Sequence, residues 1–173
     1  VEGQTPLGLP VGAVSGFTQQ RMPWLIRRAY CLPYPVTMIR NYDTRYLVAM
    51  RLALGSRVST IVTPNPSTLL RLAEVGADAA ESIVRAIHDG VLGVQIGFQG
   101  SPHGAEQVAV GEQLSAGLSP DPARARFLEG LMERHGVLRP RDAWPDLALI
   151  GCWLGGSAGI QSSGLRAWYG DTA

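Results

Sequence analysis

With 173 residues, 46% of them hydrophobic, and a mean hydropathy of +0.07, the chain is long enough for one domain with a proper core and reads as globular, not disordered. A net charge of +1, from 15 basic and 14 acidic residues, gives no reason to expect a nucleic acid or an anionic membrane as partner. Every basic residue is arginine, the bias of a GC-rich genome, and no lysine is present. Cys31 and Cys152 stand far apart, outside any metal spacing, and read as reduced thiols. No apolar run reaches the roughly 18–20 residues that cross a bilayer. No signal peptide shows at the start, so a cytoplasmic location is expected. The chain lacks an initiator Met, which predicts processing or a piece of something longer.

Residues 1–14 are rich in Gly and Pro and read as loop. A helix is expected over Ser15–Cys31, with Pro23 as a break or restart, and "CLPYPV" then runs extended. Asp43 or Thr44 can cap a helix to about Leu54, where Gly55 ends it. "RVSTIVTPN" (57–65) is a β-branched run closed by Pro and Asn, the pattern of a buried strand and a turn. Asn65 can cap the helix that Pro66 begins. Gly76 divides it from a second helix over Asp78–His88, closed by Asp89 and Gly90.

Residues 91–119 are glycine-rich with weak periodicity and read as a long loop. Asp121 and Pro122 start a clear helix to about His135, and "RPRDAWP" is a connector. A strand over Leu147–Trp153 and a helix over Ser157–Tyr169, with Ile160, Leu165 and Trp168 on one stripe, end the chain. Strands separated by helices predict an α/β fold: a partial parallel sheet, its faces covered by helices. The whole of 1–173 reads as one incomplete subdomain. Its pieces are loop and helices 1–56, strand and helices 57–90, the loop 91–119, and helix, strand, turn and helix 120–173.

The stretch "IGCWLGGSAGIQSSG" (150–164) carries the functional question. Backbone amides after a strand, at a helix start, point at whatever occupies the crevice beyond the sheet. Gly155 and Gly156 let the main chain approach a ligand with no Cβ between them. Ser157 can cap the helix or bond a ligand. An ordinary tight turn accounts for the same residues. The stretch is not a P-loop, since G-x-x-x-x-G-K-[ST] is absent, and it lacks G-x-G-x-x-G. His88, His103 and His135 have no metal spacing, so no metal site is expected.

"NPSTLLRLAE" after a β-branched strand, then "DPARARFLEGLM", then "WPDLALIGCWLGGSAGIQSSGLRAWYGD" occur in this order and spacing. Together they resemble bacterial members of the auxin-responsive acyl acid amido synthetase family, within the adenylate-forming enzymes. The resemblance runs from about Val11 to Ala173. It implies a slice of the large N-terminal domain of such an enzyme. It also implies a two-step reaction: ATP and a carboxylic acid give an acyl-adenylate, with magnesium, and an amine or amino acid then displaces AMP.

Carried over, Gly155, Gly156, Ser157 and Ala158 match the small-residue turn beside the adenylate. Trp153 lines the acyl pocket or fills the core. Val62, Thr63, Pro64 and Asn65 match a strand end near that pocket, with Asn65 open to use as a cap instead. The family's phosphate loop, its acidic motif and its lysine-bearing lid match nothing here. The resemblance therefore implies the middle of a longer ligase, inactive alone and prone to self-association. A non-catalytic module that binds a small acid or a protein remains the alternative.

Overall fold

A computed structural model describes residues 3–8, 10, 11 and 21–171. Two short strands, β1 (Gly3–Gln4) and β2 (Pro10–Val11), pair antiparallel inside the stretch expected as loop. Backbone hydrogen bonds across two residue pairs need no apolar alternation, so the sequence gives no sign of them. Of the helix expected over Ser15–Cys31, residues 15–20 lie outside the described residues, and only α1 (Trp24–Arg27) forms beyond Pro23. A 3-10 turn at Tyr34–Met38 follows.

The long helix α2 (Tyr42–Leu54) runs through the middle of the molecule. Val48, Ala49 and Leu52 pack in one cluster, with Ile39, Ile96 and Val110. Met50, Ala53 and Leu54 pack in another, with Leu69, Ile87 and Leu128. Every residue from Val48 to Leu54 is buried, so α2 has no polar face over that span. Its cap is Asn41, whose Oδ1 accepts the Thr44 amide at 2.8 Å, in place of the expected Asp43 or Thr44. Asp43 instead sits in the first turn, where the helix dipole favours a negative charge.

Helices α3 (Pro66–Asp78) and α4 (Ala80–Asp89) divide at Ala79, not at Gly76. Gly76 stays helical because it receives Met50: a Cβ there would lie 2.5 Å from the Met50 Cε. The stretch 91–119 is not one long loop, since α5 (Gly104–Ser115) forms within it. Its buried positions are Gly104, Gln107, Val110 and Leu114, at helical spacing. Two of the four are a glycine and a glutamine, which hides the stripe from a hydrophobicity reading. The Gln107 side chain bridges to the first 3-10 turn, accepting the Arg40 amide at 2.9 Å and donating to Met38 O at 3.0 Å.

Helix α6 (Pro122–His135) is capped by Asp121, whose Oδ1 accepts the Arg124 amide at 2.9 Å. The connector contains one helical turn, α7 (Pro140–Ala143), and α8 (Ser162–Tyr169) is the last helix described. Strands β3 (Thr60–Val62) and β4 (Leu149–Gly151) lie within the two expected strand runs and pair parallel. The fold is a helix-rich assembly around this two-stranded parallel sheet. Ile61 and Ile150 stand opposite each other and pack on the core. The other face, with Val62 and Leu149, is exposed, so helices cover one face of the sheet and not both. No helix among the described residues is long and apolar enough to cross a membrane.

Candidate functional site

The parallel register places Val62 opposite Gly151. Just beyond, the Thr63 amide donates to Gly151 O at 2.9 Å. Residues 62–65 and 152–156 therefore leave the sheet together, at its carboxyl end, although about 90 positions separate them in the chain. This is the end at which open α/β sheets hold their ligands.

The individual residues differ in what they are free to do. Asn65 is committed: its Oδ1 accepts the Ser67 amide at 3.0 Å and caps α3. Val62 is 79% exposed, Pro64 is exposed and Thr63 is half-buried. Trp153 is 70% exposed, so it is not a core aromatic. Its indole lies over Gly155, where a Cβ would come within 2.8 Å of the ring nitrogen. A glycine is thus needed at 155 for the tryptophan to fold back over the main chain.

Gly156, Ser157 and Ala158 form the first half of a second 3-10 turn, Gly156–Gln161, and α8 begins only at Ser162. Ser157 is thus inside the turn, not the cap of a helix over 157–169; the side chains of Ser157 and Ala158 lie outside the described residues. Gly156 and Gly159 disfavour α-helix, and Gly159 sits so close to Leu154 O that a Cβ would approach it to 2.9 Å. The tighter winding also throws Ile160 off the Leu165 stripe, leaving it 81% exposed.

Around the strand ends Val62, Trp153, Leu154 and Ile160 are all exposed apolar side chains, an open ledge and not a cleft. Two cavities, of about 490 and 440 Å³, are lined by other residues. A crevice needs a wall on each side, and these two strands supply one. Sequence reasoning missed Leu154, which falls between the expected strand and helix, and Ile160, which the expected helix placed on the buried stripe. It missed Gln161 as well, whose buried Oε1 finds no donor among the described residues.

The titratable groups are sparse. Burial pushes the Cys31 thiol above its ordinary value, which makes it a poor nucleophile. His88 Nδ1 meets Asp89 Oδ1 at 2.8 Å, and His103 Nδ1 lies 3.6 Å from Glu106, both on the surface. Among the described residues no group of three His, Cys, Asp or Glu could hold a metal ion.

A model of the GH3 family N-terminal domain matches residues 1–173. The chain belongs to the GH3 family. A solved structure, titled GH3.15 acyl acid amido synthetase, superposes on it with a TM-score of 0.65 at 16% identity. The match takes in 99% of this chain and 30% of that one, so the chain spans less than a third of the length of the solved GH3 protein. At that identity the likeness is one of fold. A search of the curated proteins finds no match. The partial parallel sheet is thus part of a GH3 N-terminal domain.

Proposed function

We propose that this chain supplies acyl and adenylate contacts to an ATP-dependent ligase that joins a carboxylic acid to an amine or amino acid. The observation that carries the reading is the register of β3 on β4. It brings the segments at 62–65 and 153–156 to one end of the sheet, in a chain of the GH3 family. The solved relative's title, an acyl acid amido synthetase, agrees with it.

In the first step the acid's carboxylate oxygen bonds to the α-phosphorus of ATP and pyrophosphate leaves. In the second an amine nitrogen bonds to the acyl carbon, loses a proton, and AMP departs with the bonding pair. The backbone of Gly155, Gly156, Ser157 and Ala158 lies against the adenylate. Trp153, Val62, Thr63 and Pro64 meet the acyl group, with Trp153 offering an aromatic face. Asn65 holds α3 in place beneath them.

The 173 residues alone complete no such site, because nothing in them matches the phosphate loop, the acidic motif or the lysine. Loss of a single oriented donor costs about 10²–10³ in rate. ATP–pyrophosphate exchange with aryl, indolyl and fatty acids tests the reading. A longer GH3 protein carrying this chain should exchange, and Gly155→Val should lower exchange at least tenfold. Unchanged exchange in Gly155→Val would remove the turn from the site. Turnover by the 173-residue chain would overturn its incompleteness. The exposed ledge also suits a protein-binding module, and exchange in neither protein would favour that reading.

A further inference from the structure

The cavity of about 490 Å³ lies where the ends of α2, α4 and α5 meet the start of α6. It shares no residue with the strand ends. Its volume is that of a small-molecule site, and Leu52, Ile87, Leu114 and Leu118 give it an apolar wall. Set into that wall is Arg51, only 4% exposed. Its Nε donates to Val91 O at 2.8 Å and its Nη2 to Ala86 O at 3.0 Å. Ala86 O belongs to the last turn of α4, where the helix dipole favours a cation, and Val91 lies two residues past the end of that helix.

The third nitrogen, Nη1, has no hydrogen-bond acceptor among the described residues. It lies on the side of Gly55, another wall residue, where a Cβ would stand 3.0 Å from it. No carboxylate of the described residues forms an ion pair with Arg51. A buried guanidinium without a counter-charge is costly, and burial accordingly lowers its pKa. Arg124 uses the same two nitrogens, Nε on Leu54 O and Nη2 on Ser56 O and Ala143 O, but of the two arginines only Arg51 lines the cavity.

We propose that this cavity binds a small organic monocarboxylate, its carboxylate on Arg51 Nη1 and its apolar body against the leucines. The planar guanidinium suits a carboxylate. Asp121, also on the wall, leaves too little positive charge for a doubly charged phosphate. The ligand supplies the charge and the acceptor that Arg51 lacks. This site is separate from the strand ends and stands or falls independently of the proposed ligase chemistry.

The test is an NMR titration of the whole chain with benzoate, hexanoate and inorganic phosphate. Either carboxylate should give saturable shifts at the Arg51 Nε–H and at the amides of Gly55, Ser56 and Ser119, while phosphate gives none. Arg51→Gln risks unfolding the protein. Gln113→Trp, at an exposed helical position on the rim, should narrow the cavity, weaken binding at least tenfold and leave the unfolding midpoint unchanged. Non-saturable shifts, equal shifts with phosphate, or shifts confined to Thr63 and Trp153 would each overturn the assignment. So would undiminished binding in Gln113→Trp.

Discussion

Arg124 shows how one side chain ties distant segments together. Its guanidinium donates to Leu54 O at 2.7 Å, Ser56 O at 3.3 Å and Ala143 O at 2.8 Å, joining the ends of α2 and α7. Hydrogen bonds from a charged donor are worth about 1.5–3 kcal/mol each, but they share one guanidinium and do not add. Arg124→Met should therefore lower stability by about 2–3 kcal/mol, read from urea unfolding; no change would show that water replaces the arginine at these carbonyls. Tyr169 does similar work in the interior. Its hydroxyl donates to Leu69 O at 2.8 Å and its ring stacks on Trp144 at 6.4 Å. Burial raises the phenol's pKa above its ordinary value. The folded state therefore favours the neutral phenol. That stability is complete below pH of about 10, the unfolded value, and falls as pH rises beyond it. Tyr169→Phe should cost about 1 kcal/mol at neutral pH and should remove this alkaline loss. Urea midpoints at pH 8 and 11 for both proteins decide it, and an identical pH dependence would assign the loss elsewhere.

Some helix ends were legible, because their chemistry is local, while those at Asn41, Ala79 and Ser162 were not. Asp121, Asn65 and Gly90 do at 121, 65 and 90 what their residue types imply, and Gly136 ends α6 as Gly90 ends α4. Two of them allow a sharper test. Gly90 and Gly136 both end helices in the left-handed region, at φ 70° and 71°. A Cβ at Gly90 would lie 2.3 Å from Pro120 N, whereas at Gly136 it meets nothing within 4 Å. Gly136→Ala should cost only the conformational penalty of about 1–2 kcal/mol. Gly90→Ala must also push the backbone before α6 aside, and should cost more. Thermal melts that put the two variants level would mean the 119–120 segment yields freely. Elements held by tertiary contacts were less legible. The buried face of α5 is built on Gly104 and Gln107, whose value lies in close approach and in hydrogen bonds to Arg40 and Met38, which no hydropathy pattern records. At the candidate site the strand–glycine–glycine order could be read directly. The 3-10 winding of Gly156–Gln161 could not, because it depends on Gly159 packing against Leu154 O.

At the scale of the whole molecule the sheet is the unbalanced part. Parallel sheets are ordinarily covered on both faces, yet here Ile61 and Ile150 meet the core while Val62 and Leu149, on the opposite face, are 79% and 52% exposed. Trp153 and Ile160 are exposed as well, and each of the two strands has a single partner within the described residues. Open edges and exposed apolar faces are templates for association. The isolated 173-residue chain should therefore self-associate through this face as its concentration rises. The charged surface elsewhere gives no competing contact, since a net charge of +1 adds almost no long-range repulsion between copies. Placing like charges on the face changes that balance without touching the core side of either strand. A Val62→Lys, Leu149→Lys double variant should keep the fold, because both side chains point away from Ile61 and Ile150, and should sediment as a monomer. Multi-angle light scattering across a concentration series separates the outcomes. A wild-type chain that stays monomeric at high concentration would show that the ledge is too small or too wet to drive association, and a double variant that still associates would place the interface elsewhere, with exposed Trp24, Leu25 and Ile26 of α1 the next surface to charge.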